Sequence, residues 1–110
     1  MAFTRANKSY AVPIPNIPDN SFNFKFNVTL PDGIHNFTFN WIWYNPEGGL
    51  QNAWYFTDQM PNGNVRSGRV SPNCCNWQAS TDMGIYFKSS LNNVGQNDLG
   101  SVSMYALYWL

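Results

Sequence analysis

The sequence predicts an all-β protein, either a small antiparallel β-barrel or a β-sandwich, of about six to seven strands. Apolar and polar residues alternate with a period of two in several stretches, and turn signals recur roughly every ten residues. No stretch has a convincing helical period. The 110 residues are enough for one hydrophobic core, so residues 1–110 are treated as a single domain. It is predicted to have an extended, proline-rich N-terminal arm at 1–20 and a body at 21–110.

Residues 22–44 form the clearest element, two antiparallel strands joined by the turn Pro31-Asp32-Gly33. In both strands every second residue is apolar, which places the apolar side chains on one buried face of the hairpin. Ile42 and Tyr44 interrupt the polar face, so this end of the second strand is expected to be covered on both sides. The alternating apolar residues are Phe22, Phe24, Phe26, Val28 and Leu30 in the first strand, and Phe37, Phe39, Trp41 and Trp43 in the second.

The remaining elements are assigned from turn signals and composition. Pro13, Pro15 and Pro18 each lack a backbone donor, so residues 9–17 are predicted to be an extended segment at a sheet edge. Asn62-Gly63 marks a second hairpin turn. Further strands are predicted at 52–58, 65–70, 83–88 and 101–109, with an irregular loop at 71–82 and turns at 89–99.

The polarity of this chain is carried by Asn, Ser and Thr rather than by charge. Charged residues make up 11% of the sequence, against roughly 25% in ordinary soluble domains. Aromatic residues reach 17%, and the formal net charge is +0. Such a chain has no long-range field to attract nucleic acid or an anionic membrane, so neither is predicted as a partner. A protein with few charges also has little electrostatic repulsion to prevent self-association. Much of its surface is therefore expected to be occupied by partners.

No segment is predicted to carry the chain into or across a membrane. No apolar run has the length of a membrane span, and the first residues lack the continuous apolar segment of an export signal. Cys74 and Cys75 are neighbours, a spacing that disfavours a disulfide between them. Free thiols, and synthesis in a reducing cytoplasm, are therefore expected.

The titratable residues predict neither an enzyme nor a metal site. His35 is the only histidine, and no motif places a serine, cysteine or carboxylate to act with it, so it is interpreted as a surface or strand-edge residue. The cysteine pair lacks the second ligand cluster of a zinc site. We therefore predict no catalytic residues, no metal and no cofactor. Four aspartates are predicted to accept backbone hydrogen bonds in turns: Asp19, Asp32, Asp58 and Asp98.

The aromatic residues allow three interpretations. Trp41, Trp43, Trp54 and Tyr55 could fill the core, which is the default at this spacing. They could instead form an exposed platform for sugar rings, with Trp77 as a further candidate, as in small all-β carbohydrate-binding modules. A third interpretation is contact with other proteins, since large aromatic residues and low charge suit a buried interface.

Three short motifs, in this order along the chain, carry a resemblance to a known family. Residues 16–22 read Asn-Ile-Pro-Asp-Asn-Ser-Phe, residues 54–58 read Trp-Tyr-Phe-Thr-Asp, and residues 97–105 read Asn-Asp-Leu-Gly-Ser-Val-Ser-Met-Tyr. This order resembles the small all-β baseplate plug proteins of contractile-tailed cyanophages and their relatives in other tailed phages. The resemblance spans nearly the whole chain.

The resemblance implies a structural component of the virion, made in the cytoplasm of the infected host and built into the tail baseplate near the tail axis. Its implied partners are the baseplate hub, tail tube and spike proteins, with several copies in a ring. The alternative function is a carbohydrate-binding module, which could also belong to a virion fibre. Partner contacts are predicted in the arm, the 72–77 loop and the last strand, at Tyr10, Val12, Ile14, Ile17, Trp77, Tyr105, Leu107 and Trp109.

Overall fold

The computed structural model describes residues 8–18, 21–43, 53–77, 83–92 and 94–108. These ranges contain eight β-strands and one short 3₁₀ helix. Within them, no helix is long and apolar enough to cross a membrane. The strands are β1 (Lys8–Val12), β2 (Asn23–Leu30), β3 (Gly33–Ile42), β4 (Ala53–Gln59), β5 (Val65–Arg69), β6 (Cys74–Trp77), β7 (Met83–Lys88) and β8 (Ser103–Tyr108), and the 3₁₀ helix is Leu99–Ser101.

The strands form two four-stranded antiparallel sheets. Sheet I has the order β1-β8-β7-β6, and sheet II has the order β2-β3-β4-β5. The all-β prediction is therefore confirmed. Of its two alternatives the described strands are consistent with the β-sandwich, because they form two open sheets and no closed barrel.

Sheet II is a meander whose turns follow from local sequence. The β2–β3 turn is Pro31-Asp32, and Gly33 closes it with a φ of 129° that a residue with a side chain rarely adopts. At the β4–β5 turn, Asn64 O accepts a hydrogen bond of 2.8 Å from Met60 N–H, and Gly63 has a φ of 88°. Both predicted hairpin turns are confirmed.

The core lies between the inner faces of the two sheets. Phe39 of β3 and Phe56 of β4 contact Phe87 of β7, with ring centroids 6.1 Å and 5.4 Å apart, and so join sheet II to sheet I. Trp54 is fully buried and donates from Nε1 to the carbonyl oxygens of Gly95 and Gln96, at 3.1 Å and 3.2 Å. The loop before β8 is thereby attached to sheet II.

Strand β6 corrects the sequence analysis, which predicted an irregular loop over residues 71–82. Cys74 to Trp77 pair with β7 in a regular antiparallel register, from Cys74 opposite Phe87 to Trp77 opposite Gly84. The segment is only four residues long and lacks a period-two pattern, so its strand character comes from pairing with β7 rather than from its own sequence. Both cysteines are exposed and carry free thiols.

The central hairpin is less buried than its alternation predicts. Its first strand, β2, lies at the edge of sheet II, so Phe24, Phe26 and Val28 are only half-buried and Phe22 is 50% exposed. Tyr44 lies outside the described residues.

Part of the predicted N-terminal arm belongs to the body. Residues 8–12 are strand β1, which pairs with β8 from Lys8 opposite Tyr108 to Val12 opposite Met104. The prolines follow this strand, as expected for residues without a backbone donor.

Candidate functional site

A buried network of charged and polar side chains occupies one end of the sandwich. His35 Nδ1 lies 2.8 Å from Asp58 Oδ1, and His35 Nε2 lies 2.7 Å from Asp32 Oδ1. Asp32 Oδ1 also accepts a hydrogen bond of 2.7 Å from the Tyr108 hydroxyl. His35 and Asp58 are both 0% exposed, whereas the Asp32 side chain is 44% exposed. The network therefore begins at the surface and continues into the core.

Two expectations from the sequence are wrong at this site. His35 is not a surface or strand-edge residue, and Asp58 is not in a turn but within β4. Asp32 lies in a turn as predicted, but its carboxylate is bound by the side chains of His35 and Tyr108. The prediction for Asp98 is confirmed, because Asp98 Oδ2 accepts a 2.9 Å bond from Gly95 N–H. Asp19 lies outside the described residues.

The position of each member of the network follows from strand alternation. His35 has the same parity as the buried Phe37 and Phe39, and Asp58 has the same parity as Trp54 and Phe56. Arg66 is opposite Asp58 in the β4–β5 register and also points inward. The period of two that identifies the apolar core residues therefore also assigns these polar residues to the inner face.

Arg66 connects this network to sheet I. Its Nε lies 3.4 Å from Asp58 Oδ2, an ion pair without hydrogen-bond alignment. Its Nη1 donates to the Met83 carbonyl oxygen at 3.0 Å, and its Nη2 lies 3.3 Å from the Met83 sulfur. With two carboxylates against one guanidinium and one imidazolium, the network is electrically neutral when His35 is protonated.

The pKa values reflect competition between burial and pairing. Burial alone lowers the pKa of His35, but hydrogen bonds to Asp58 and Asp32 and their charges outweigh it and raise the pKa above 6.5. For Asp32 burial acts in the raising direction, but bonds from Tyr108 and His35 bring the pKa below 3.8. Burial lowers the pKa of Arg66 against the opposing effect of Asp58. Burial and the bond to Asp32 raise the pKa of Tyr108 well above its usual range.

The geometry of the network suits a structural role. Each ring nitrogen of His35 is within hydrogen-bond distance of a carboxylate, so neither is left to take a proton from a substrate. Two contacts cross between the sheets, from Tyr108 to Asp32 and from Arg66 to Met83. The network thus connects the sheets where the aromatic core ends. Among the described residues there is also no group of three or more His, Cys, Asp or Glu side chains that could hold a metal ion.

The outer faces of the two sheets differ in composition. The outer face of sheet II is mostly polar, and its three central cross-strand rows are Asn23, Asn40, Tyr55 and Arg69; Lys25, Thr38, Thr57 and Ser67; Asn27, Asn36, Gln59 and Val65. Two large apolar residues are exposed on this face, Val65 in the third row and Ile34 opposite Thr29.

The outer face of sheet I is less polar. Its central row is Ala11, Tyr105, Tyr86 and Cys75, and the next row places Ser9, Leu107, Gly84 and Trp77 in register. The Tyr86 and Tyr105 rings have centroids 6.5 Å apart. Within the described strands Lys88 is the one charged residue that alternation assigns to this face.

The predicted contact residues fall into different environments. Tyr105 and Leu107 lie on the outer face of sheet I, and Trp77 shares a register row with Leu107. Tyr10 is on the edge strand β1, where its ring packs edge-to-face on Tyr108. Val12 is buried in the core, Ile14 and Ile17 are half-buried against it, and Trp109 lies outside the described residues.

The aromatic residues proposed as a sugar platform are also divided. Trp54 belongs to the core, and Trp41 is half-buried and packs edge-to-face on Trp54. Trp43 is 54% exposed and contacts Phe22, with ring centroids 5.9 Å apart. Tyr55 is half-buried on the outer face of sheet II, and the side chain of Trp77 lies outside what the structure describes. Of the described candidates, Trp43 with its neighbour Phe22 is the most exposed, at the open end of the central hairpin.

No protein-family model matches the chain, and neither a curated protein nor a solved structure is significantly similar to it.

Proposed function

We propose that this protein is a structural component of a phage tail baseplate, a plug or hub-associated subunit that joins its neighbours through sheet I. The observation that carries the proposal is the outer face of sheet I, where Tyr86, Tyr105 and Leu107 replace the polar residues of an ordinary solvent-facing sheet. The ordered sequence motifs supply the baseplate assignment.

The contrast between the two outer faces supports a protein partner for sheet I. The centre of the outer face of sheet II carries amides, hydroxyls and two cations, which hydrate well in water, and its exposed aliphatic residues Ile34 and Val65 lie towards one end of the sheet. Aromatic residues with few charges are typical of the centre of protein interfaces. Strand β1 adds a second means of contact, because the backbone of an edge strand can pair with a strand of a neighbouring subunit.

A cryo-electron reconstruction of the intact virion tests the baseplate assignment. We expect density for this chain on or beside the tail axis, with the outer face of sheet I against another subunit. Density at a fibre tip, or absence of the chain from the particle, would overturn the assignment.

The double substitution Tyr105→Lys and Leu107→Lys should prevent incorporation into the particle. Two lysines on the outer face would have to be desolvated in an interface, while in the free protein they remain in water and leave folding intact. The matched control is Thr57→Lys with Gln59→Lys, which adds two lysines at alternate positions of one central strand on the outer face of sheet II, with no charged residue directly opposite either of them. Quantitative immunoblots of purified particles measure incorporation. Equal incorporation of both variants would exclude sheet I as the contact.

A carbohydrate-binding module remains the second candidate, because Trp43 and Phe22 form an exposed aromatic pair. On this hypothesis, host polysaccharide should change the tryptophan fluorescence of the native chain, and Trp43→Ala should abolish the change. Buried Trp54 would contribute the same background in both proteins. A flat titration of the native chain would reject the module.

A further inference from the structure

Strand β2 is the outermost strand of sheet II, and no other described strand pairs with its outer side. It runs for eight residues, Asn23 to Leu30, with β3 on its inner side. Within the described ranges, no backbone hydrogen bond reaches these residues from outside the sheet. A long unpaired strand is an open template for pairing with another chain.

The register identifies the backbone groups on this open side. Trp41 N–H donates to Phe22 O at 2.7 Å, so Phe22 is bonded toward the β3 segment. Residues along an antiparallel strand alternate between bonding to the neighbour and pointing away from it. The N–H and C=O groups of Asn23, Lys25, Asn27 and Thr29 therefore point to the open edge.

The side chains of β2 leave this edge poorly protected. Phe24, Phe26 and Val28 point inward but are only half-buried at the rim of the sandwich. Natural edge strands are usually blocked by charges, proline, a bulge or short length. Lys25 is the only charged residue of β2, and the strand contains no proline.

We propose that β2 pairs antiparallel with β2 of a second copy of this chain, so that the two copies of sheet II form one continuous sheet about a two-fold axis. The occupant of this edge must present apolar side chains on the inner face and polar side chains on the outer face. The sequence of β2 itself has this pattern. A two-fold interface requires only one self-complementary surface.

The charge of Lys25 disfavours one register and is compatible with pairing centred on Phe26. When the two strands are centred on Phe26, Lys25 faces Asn27 of the other copy and Phe24 faces Val28. Centring on Lys25 would instead place two like charges directly opposite each other, which is unfavourable. The formal net charge of +0 leaves no long-range repulsion between copies. This pairing is independent of the baseplate proposal, which uses sheet I.

Sedimentation equilibrium of the purified chain tests the proposal with a matched pair of variants. The native chain should have twice the monomer mass of 12.6 kDa at high concentration. Asn27→Pro removes an N–H at the open edge and no bond to β3, so it should shift the mass to that of the monomer. Asn27→Ala keeps the N–H and should remain a dimer. A native chain that is monomeric throughout the micromolar to millimolar range overturns the proposal, as does a dimeric Asn27→Pro variant.

A second variant and a second measurement cover the case in which proline disturbs the fold. Phe26→Lys places a charge at the centre of the proposed interface while its stem can reach solvent at the rim, and it should also be monomeric. In the native chain, amide hydrogen exchange of Lys25 and Asn27 should slow as concentration rises. Amides that exchange at one rate across the whole range would overturn the pairing without any variant.

Discussion

Replacing Asp58 by alanine should lower the free energy of unfolding by about 3–5 kcal/mol, the cost of breaking a buried ion pair by removing one partner. Asp58 is 0% exposed, and its two oxygens lie beside His35 and Arg66. Without it, two cations remain in the core with only the half-exposed Asp32 to compensate them. Urea unfolding monitored by tryptophan fluorescence measures the change.

The control for this variant is Asp98→Asn, which also removes one carboxylate charge. Asp98 accepts a backbone hydrogen bond in a loop, and the asparagine amide oxygen can accept the same bond. We expect a loss below about 1 kcal/mol, as for most substitutions of partly exposed residues. An equal loss of stability in both variants would mean that Asp58 contributes only its negative charge, and that its buried contacts with His35 and Arg66 add nothing.

A triple variant distinguishes the cost of leaving buried charges unpaired from the net contribution of the ion-pair network to stability. If His35, Asp58 and Arg66 are all replaced by apolar residues of similar volume, no fully buried charge remains, since Asp32 is half-exposed and still bonded to Tyr108. The stability should then lie well above that of Asp58→Ala. Such a result would indicate that the cost of Asp58→Ala comes from the unpaired buried charges it leaves, rather than from net stability added by the network.

The sequence predicts the fold class and both hairpin turns, because these depend on residues close together in the chain. The alternation of Phe37 and Phe39 also predicts an inward His35, and that of Trp54 and Phe56 predicts an inward Asp58. Their polarity instead suggested a surface or strand-edge position for His35 and a turn for Asp58, and both predictions are wrong. Parity is the more reliable signal here because a strand cannot turn one side chain outward without shifting its register.

The rest of the network depends on contacts that no local pattern encodes. Tyr108 is 76 positions from Asp32, and they meet only because β8 faces the β2–β3 turn across the sandwich. Strand β6 likewise becomes a strand through β7. The unpaired edge of β2 is hidden for the same reason, since the alternation in a strand does not reveal whether it has one neighbour or two.

The pH dependence of stability should follow the charge of His35. Because its pKa is raised on folding, protonated His35 stabilises the fold fully below pH 6.5, and this contribution is lost as pH rises through the folded pKa. Asp32 has the opposite sign: its lowered pKa adds stability above pH 3.8, which is lost as pH falls through the folded value. Both contributions are complete between these limits, so the unfolding free energy should be highest there.

Urea unfolding at pH 5.5 and pH 7.5 measures this effect, and His35 is the only histidine that titrates between them. The native chain should be less stable at pH 7.5, by up to about 1.4 kcal/mol for each unit by which the pKa is raised. An NMR titration of the single imidazole gives the folded pKa directly. His35→Phe, which can retain the stacking on Phe37, should remove most of the difference between the two pH values whatever its own stability. A native chain that becomes more stable at pH 7.5 would contradict the assignment of a protonated His35 between two carboxylates.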